Sequence, residues 1–220
     1  HNYKDTLEAA LAEDNIPTSL YDGLIATVHD NFAPLHEYIQ LKKDVLGVDE
    51  FHYYDMYMPL SQAGDSFACS FPEACARVEE ALAPLGEEYV ATLHKGLTEG
   101  WIDVYENKGK RSGAYSWGVY GVHPFVLLNY QQRYNSISTL AHEMGHALHS
   151  FFSSQAQTYI NSDYTIFCAE VASTTNENLL LEYTLQHATD EQKIYLLNQY
   201  LEAVRTTVYR QVQFAEFEKY

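Results

Sequence analysis

The five residues that decide the fold are His142-Glu143-Met144-Gly145-His146, an H-E-x-x-H pattern. The flanking stretches 137–141 and 147–148 are apolar or small, which is typical of a buried helix. On a helix, residues four positions apart lie on one face about one turn apart, so two imidazoles can bind one metal ion. Glu143 lies to their side, where a carboxylate can act as general base toward a water molecule. The pattern therefore predicts a helix that carries a zinc site.

The alternative is a solvent-exposed helix with two incidental histidines, since the chain has 10 His among 220 residues. An exposed helix face is normally rich in charged side chains, but no Lys or Arg lies near this stretch. Ionisable side chains in a buried helix need a partner or a metal ion. The metal site is therefore the preferred interpretation.

A catalytic zinc site normally has three protein ligands and one open position, so a third residue is needed. His149 follows His146 by three positions but lies a further turn along the helix axis. It is predicted to pack beside the site or to orient a ligand without touching the metal. A metzincin arrangement is excluded, because that pattern needs Gly at position 149 and His at position 152, where this chain has His149 and Phe152.

The remaining candidates for the third ligand are carboxylates from a second helix. The acidic residues downstream are Asp163, Glu170, Glu177 and Glu182. Glu170 is the single acid in the nearly apolar stretch 165–173, and an isolated carboxylate in such a setting needs a cation. Spacing alone leaves open whether Glu170 binds a metal or caps a helix end. Glu177 lies two turns further along the same face and is predicted to orient a ligand histidine.

The stretches 139–150 and 169–177 resemble two helices of the thimet oligopeptidase and oligoendopeptidase F peptidases. In that family the Glu at the position of Glu170 is the third zinc ligand. The resemblance therefore implies one Zn²⁺ bound by His142, His146 and Glu170, and the gap of 24 positions between His146 and Glu170 fits the family. Further matching stretches, spread over essentially the whole chain, are 55–60, 83–89, 101–116 and 123–125.

The same resemblance implies an active-site cleft that binds short, unstructured peptides. Gly113, Ala114 and Tyr115 are expected to bind substrate on a strand that lines this cleft, together with His123. Family members are much longer than this chain. Residues 1–220 are therefore predicted to be an internal fragment of one catalytic domain, without the N- and C-terminal parts of the full enzyme, which leaves open whether the fragment is active alone.

The predicted fold is mainly α and zincin-like: a helical bundle with a small β-sheet just before the zinc helix. Residues 1–100 are expected to form a helical lobe, 101–130 a sheet of about three strands lining the cleft, and 135–220 the zinc-binding helices. The strand candidates are 101–105, 113–120 and 125–130, which alternate or are rich in β-prone residues. Helix starts are indicated by capping boxes at 70–73 and 189–192.

The net charge of −17, from 30 acidic and 13 basic residues, argues against nucleic acid and anionic membrane as partners. No apolar stretch approaches the length that a bilayer requires. The three cysteines, Cys69, Cys75 and Cys168, show no disulfide framework, which favours a reducing compartment and a cytoplasmic location. Cys168 lies in an apolar run and is predicted to be a core residue rather than a nucleophile.

The predicted function is a zinc-dependent endopeptidase that hydrolyses short oligopeptides by metal-activated water, with Glu143 as general base. Tyr115 and Tyr120 are weaker candidates for a donor to the oxyanion. One alternative is a zinc exopeptidase, which needs a site for a free peptide terminus. Another is a non-enzymatic scaffold or a metal-binding relic. Cobalt or manganese could bind the same ligands as zinc.

Overall fold

The computed structural model describes residues 2–220 and confirms the mainly α fold with a small sheet. The α-helices are α1 (Thr6–Ala12), α2 (Thr18–Asp30), α3 (Phe32–Leu46), α4 (Phe71–Ala81), α5 (Glu87–Thr98), α6 (Tyr134–Ala156), α7 (Ile166–His187), α8 (Asp190–Val204) and α9 (Arg210–Lys219). The strands are β1 (Ile102–Asp103), β2 (Tyr115–Trp117) and β3 (Phe125–Leu127). A π-helical turn, Arg205–Tyr209, joins α8 to α9.

The chain forms two compact units. One contains residues 2–62 together with Lys193–Tyr220, and the other is Ala63–Gln192. In the second unit, α6 carries the H-E-x-x-H pattern, and α4, α5 and the sheet all pack against it. These units do not follow the predicted divisions near positions 100 and 135. That the whole chain belongs to one catalytic domain stays a prediction.

A buried lysine organises the first unit. Lys42 of α3 is only 1% exposed, and its Nζ donates to the main-chain oxygens of Met56 (2.6 Å) and Met58 (3.1 Å). The same Nζ lies 3.4 Å from Oε1 of Glu202 in α8. Glu202 also accepts hydrogen bonds from Arg205 at 3.0 and 2.8 Å. A buried charge is tolerated only when it is paired and hydrogen-bonded, so this cluster ties α3, the segment after it and α8 together.

The core of the second unit is built around α6. Its apolar side chains interleave with those of α4, α5 and α7. Core residues that are at most 1% exposed include Val78, Leu82, Leu93, Leu128, Ile137, Leu140, Met144, Leu148 and Leu180. The predicted capping box that starts α4 is confirmed, since the side chain of Glu73 accepts from the Ser70 main-chain N–H at 2.7 Å. The buried position of α6 agrees with the apolar residues around the H-E-x-x-H pattern.

The sheet has the strand order β1-β3-β2, with β1 parallel and β2 antiparallel to β3. Ile102 pairs with Val126, and Ser116 pairs with the same residue from the other side. All three strands are shorter than predicted: β2 stops at Trp117, before Gly118, which packs against α6. A Cβ at position 118 would lie 2.5 Å from the Cβ of Ser150, so the chain here is shaped by contact with α6 rather than by continued strand pairing.

The prediction that Cys168 is a core residue is wrong, because the structure leaves it exposed. Helix α7 packs against α6 through Ala169, Ser173 and Asn176. Cys168 is rotated away from this face, because successive helical residues differ by about 100°. Within residues 2–220, no helix combines the length and the apolar character that crossing a bilayer demands.

Candidate metal centre

Helix α6 brings the two histidines of the H-E-x-x-H pattern together, as their spacing predicts. The Nε2 atoms of His142 and His146 lie 3.1 Å apart, and their rings are nearly perpendicular, at 86°. An imidazole nitrogen without a hydrogen can bind a metal ion, so two Nε2 atoms this close together can be ligands of one common cation.

Helix α7 supplies a carboxylate to the same point. Oε2 of Glu170 lies 3.7 Å from Nε2 of His142 and 3.7 Å from Nε2 of His146. The hydroxyl of Ser173, one turn further along α7, donates to this oxygen at 2.9 Å and to the main-chain oxygen of Glu170 at 3.1 Å. Ser173 is fully buried, and its hydrogen bond restrains the carboxylate of Glu170.

The three donor atoms fit a zinc ion. Separations of 3.1, 3.7 and 3.7 Å place the point equidistant from all three atoms at about 2.0 Å from each, which is the length of Zn–N and Zn–O bonds. Two imidazoles and one carboxylate are also the donor set of catalytic zinc sites with an open fourth position. Among residues 2–220, this is the one group of His, Cys, Asp and Glu side chains with such convergence.

Glu177 contacts the far side of His142. Its Oε1 lies 2.5 Å from Nδ1 of His142, and its Oε2 accepts a 3.3 Å hydrogen bond from Ser138. Burial lowers the pKa of His142, but the hydrogen bond to Glu177 and its negative charge outweigh burial and raise that pKa overall. This contact places a proton on Nδ1 and leaves Nε2 free as a ligand atom. For His146, burial and the nearby His142 lower the pKa.

Glu143 lies between the two histidines in sequence and is only 6% exposed. Burial raises the pKa of its carboxyl to about 7; His142 opposes this rise, and the negative charges of Glu170 and Glu177 add to it. A divalent cation at the three-ligand point would favour the ionised carboxylate and lower this pKa. A carboxylate whose pKa can be tuned near neutrality is suited to accepting and returning a proton.

The chain is similar to known proteins in both sequence and fold. A family profile described as Peptidase family M3 matches residues 1–220. The chain belongs to peptidase family M3. The chain is 50% identical to the oligopeptidase PepF of Bacillus subtilis (strain 168) over 218 residues, which cover 98% of this chain and 32% of that protein.

Two solved structures share the fold of this M3 chain. A crystal structure from Chlamydophila abortus aligns with a TM-score of 0.86 and 45% identity, covering 99% of this chain and 36% of that one. The crystal structure of oligoendopeptidase-F from Enterococcus faecium aligns with a TM-score of 0.64 and 36% identity, covering 99% and 31%. The resemblance to oligoendopeptidase F is therefore confirmed. The M3 chain spans about a third of the length of these relatives.

Gly145 explains how α6 and α7 of the M3 chain come close enough to share the site. A Cβ at this position would lie 2.7 Å from Cα of Ser173 and 2.9 Å from the main-chain oxygen of Ala172. Both contacts are with backbone atoms, which cannot rotate away as a side chain can. The close approach of the two helices, and with it the distance from Glu170 to the histidines, requires glycine here.

We expect Gly145→Ala to lower the free energy of unfolding by about 1–3 kcal/mol, because the added methyl group overpacks the α6–α7 contact. Urea denaturation with a chelator present measures this loss without a contribution from bound metal. Gly23→Ala in α2 is the matched control: a Cβ there meets nothing within 4 Å, so alanine should stabilise by about 0.5–1 kcal/mol. Equal stability of the two variants would contradict the packing argument.

His149 was predicted either to pack beside the site or to orient a ligand, and in the structure it packs against Tyr164. Its ring stacks on Tyr164 at a centroid distance of 3.8 Å and an angle of 17°, and burial lowers its pKa. Its Nδ1 is buried without a hydrogen-bond partner among residues 2–220. The three-ligand group does not include His149, as the extra helical turn suggests.

The predicted substrate residues do not all lie together. Gly113 and Ala114 line a cleft of about 430 Å³ that also includes Thr139, one turn before His142 on α6. Tyr115 begins the edge strand β2 and is 52% exposed. His123 instead stacks on Trp101 at 5.6 Å, beside a separate depression. The substrate-binding role of these residues stays a prediction.

Three buried or half-buried polar residues near the ligands were not predicted from the sequence. They are Ser138, Ser173 and Asn176. Ser173 lies three positions after Glu170, a spacing at which helical side chains can meet, so it could have been found. The partner of Asn176 is the main chain of another helix, for which the sequence holds no signal.

Proposed function

We propose that this protein is a zinc-dependent endopeptidase that hydrolyses short oligopeptides. The observation that carries the proposal is the convergence of His142 and His146 from α6 with Glu170 from α7, at distances that suit one zinc ion. Membership of peptidase family M3 supports peptide hydrolysis as the reaction. The relative in Enterococcus faecium is described as oligoendopeptidase-F, which supports internal cleavage of peptides.

In this mechanism His142, His146 and Glu170 would hold Zn²⁺, which would supply the Lewis acidity needed at the scissile carbonyl and at the attacking water. Glu177 holds His142 in the orientation that presents Nε2, through the 2.5 Å contact with Nδ1. Glu143 accepts a proton from the attacking water and delivers it to the leaving amine. The C–N bond breaks and the new C–O bond becomes part of the product carboxylate.

The substrate proposal rests on the cleft and the edge strand. Gly113 and Ala114 contribute to the cleft that reaches Thr139, and β2 follows directly at the edge of the sheet. An extended peptide can pair with the main chain of an edge strand whatever its side chains are, which suits an enzyme for varied oligopeptides. Asn129 supports this segment by donating to the main-chain oxygens of Arg111 and Gly113, both at 2.9 Å.

The net charge supports the proposal that nucleic acid and membranes are not partners, and the cysteines support a cytoplasmic location. A net charge of −17 disfavours nucleic acid and anionic membranes as partners. Cys69, Cys75 and Cys168 are all free thiols, which suits a reducing compartment such as the cytoplasm.

The test is hydrolysis of an internally quenched peptide with both ends blocked, by the protein in its natural full length. We expect cleavage that a chelator abolishes and that zinc restores. End-blocking separates the two peptidase classes, because an exopeptidase needs a free terminus. Cleavage only of peptides with a free end would overturn the endopeptidase assignment, and a zinc-loaded protein that cleaves neither kind would favour the non-enzymatic alternative.

A further inference from the structure

One buried side chain connects three helices beside the candidate metal centre without touching any ligand atom. Asn176 of α7 is 1% exposed. Its Nδ2 donates to the main-chain oxygen of Ala141 in α6 at 3.0 Å. Its Oδ1 accepts a hydrogen bond from the hydroxyl of Tyr89 in α5, also at 3.0 Å. Asn176 has no role in the chemical steps of the proposed mechanism.

The direction of these two hydrogen bonds follows from chemistry. A main-chain oxygen can only accept, so the amide nitrogen of Asn176 must face Ala141. The amide oxygen then faces Tyr89, whose hydroxyl must donate. Asn176 is therefore held at both ends, and its side chain has a single orientation. An apolar residue of the same size would make neither bond.

The place where Asn176 meets α6 is next to the ligands. Ala141 directly precedes His142, and Asn176 directly precedes Glu177, the partner of His142. A Cβ at position 145 would lie 3.1 Å from Nδ2 of Asn176. The amide thus packs against the one position where α6 has no side chain, and its hydrogen bond joins α7 to α6 at this point.

We propose that Asn176 is a positioning residue for the metal centre. This inference rests on the proposed function. The hydrogen bond to Ala141 fixes the register of α7 on α6, and this register sets the separation between Oε2 of Glu170 and the two imidazoles. A shift of α7 moves Glu170 and Glu177 together, since both belong to the same rigid helix. The three donor atoms then no longer share a point at zinc-bonding distance.

The test compares Asn176→Leu with Asn178→Leu in the protein in its natural full length. Asn178 is exposed on the same helix, and its one side-chain hydrogen bond among residues 2–220 lies within that helix, to the main-chain oxygen of Thr174. We expect Asn176→Leu to weaken zinc binding by about tenfold or more, as is typical when a residue that supports a metal ligand is lost. Asn178→Leu should bind zinc like the native protein. Zinc affinity is measured by competition with a chromophoric chelator.

A second measurement distinguishes a positioning role of Asn176 from a role in protein stability alone. The visible absorption spectrum of the Co²⁺-substituted protein reports the geometry of the ligands, and we expect it to change in Asn176→Leu but not in Asn178→Leu. A merely structural role would lower the thermal unfolding temperature of the metal-free protein while leaving zinc affinity and the cobalt spectrum as in the native protein. That result would overturn the proposal.

Tyr89→Phe provides a milder variant in case Asn176→Leu does not fold. It removes the bond to Oδ1 and keeps the bond from Nδ2 to Ala141, so the expected loss of zinc affinity is smaller, about threefold. If Asn176→Leu does not fold, an unchanged zinc affinity and cobalt spectrum in Tyr89→Phe would overturn the inference. A native protein that binds no zinc would overturn the proposed function as well, whereas native binding with unaffected variants would overturn the inference alone.

Discussion

Replacing Glu143 with Gln is expected to lower the rate of peptide cleavage by about 10²–10⁴-fold, the range typical of lost general acid–base catalysis. Glutamine keeps the size of the side chain but cannot accept the proton of the attacking water. Because Glu143 is not among the three ligand residues, zinc content should stay at the native level. The measurement is turnover of the quenched, end-blocked peptide together with metal analysis of the same sample.

Glu99→Gln is the control for this substitution, since Glu99 is exposed and, among residues 2–220, its carboxylate pairs only with Lys95, at 3.9 Å. It makes the same chemical change on the surface and should leave turnover unchanged. Native turnover in Glu143→Gln would remove Glu143 from the role of base. Loss of zinc from that variant would instead mean that Glu143 supports metal binding.

Replacing Glu170 with Gln is expected to remove the charged ligand and to weaken zinc binding by at least about 100-fold, with loss of peptide cleavage. A neutral amide is a much poorer zinc ligand than a carboxylate. The same change also affects Ser173, whose hydroxyl donates to Oε2 of Glu170. Chelator competition measures the affinity, and turnover at saturating zinc shows whether metal alone can restore activity.

The control for this second substitution is Glu182→Gln. Glu182 lies on the same helix, α7, and within the described part of the chain its side chain accepts only from Gln186, at 3.1 Å, so its loss should leave zinc affinity unchanged. Unaltered zinc affinity in Glu170→Gln would show that the third ligand lies elsewhere. It would also remove the observation on which the proposed function depends.

Local sequence patterns predicted the histidine pair within α6 and one residue of α7, Glu177, that contacts this pair. His142 and His146 share a face of α6 because their spacing matches one helical turn, and the apolar neighbours predicted that α6 would be buried. Glu177 was predicted to orient a ligand histidine, and the structure places it 2.5 Å from His142. The capping box at Ser70 also depends on four consecutive residues and was confirmed.

Interactions between distant segments were predicted less well. The strand candidates were placed in the right order but were too long, since the contact of Gly118 with Ser150 shapes the end of β2. Cys168 was predicted to be buried because its neighbours are apolar, although α7 buries a different face. His123 was grouped with Gly113 and Ala114; its ring stacks on Trp101, and its substrate-binding role stays a prediction.

The sequence by itself determined the helical fold class, the histidine pair and the position of Glu143 beside it, because helical periodicity turns spacing along the chain into position in space. From spacing alone, Glu170 remained one of several possibilities, and the family resemblance selected it. The tertiary structure decided the distance of Glu170 from the histidines, which depends on how closely α7 approaches α6. That approach is set by the missing side chain at Gly145 and by the bond from Asn176 to Ala141, contacts between residues some thirty positions apart.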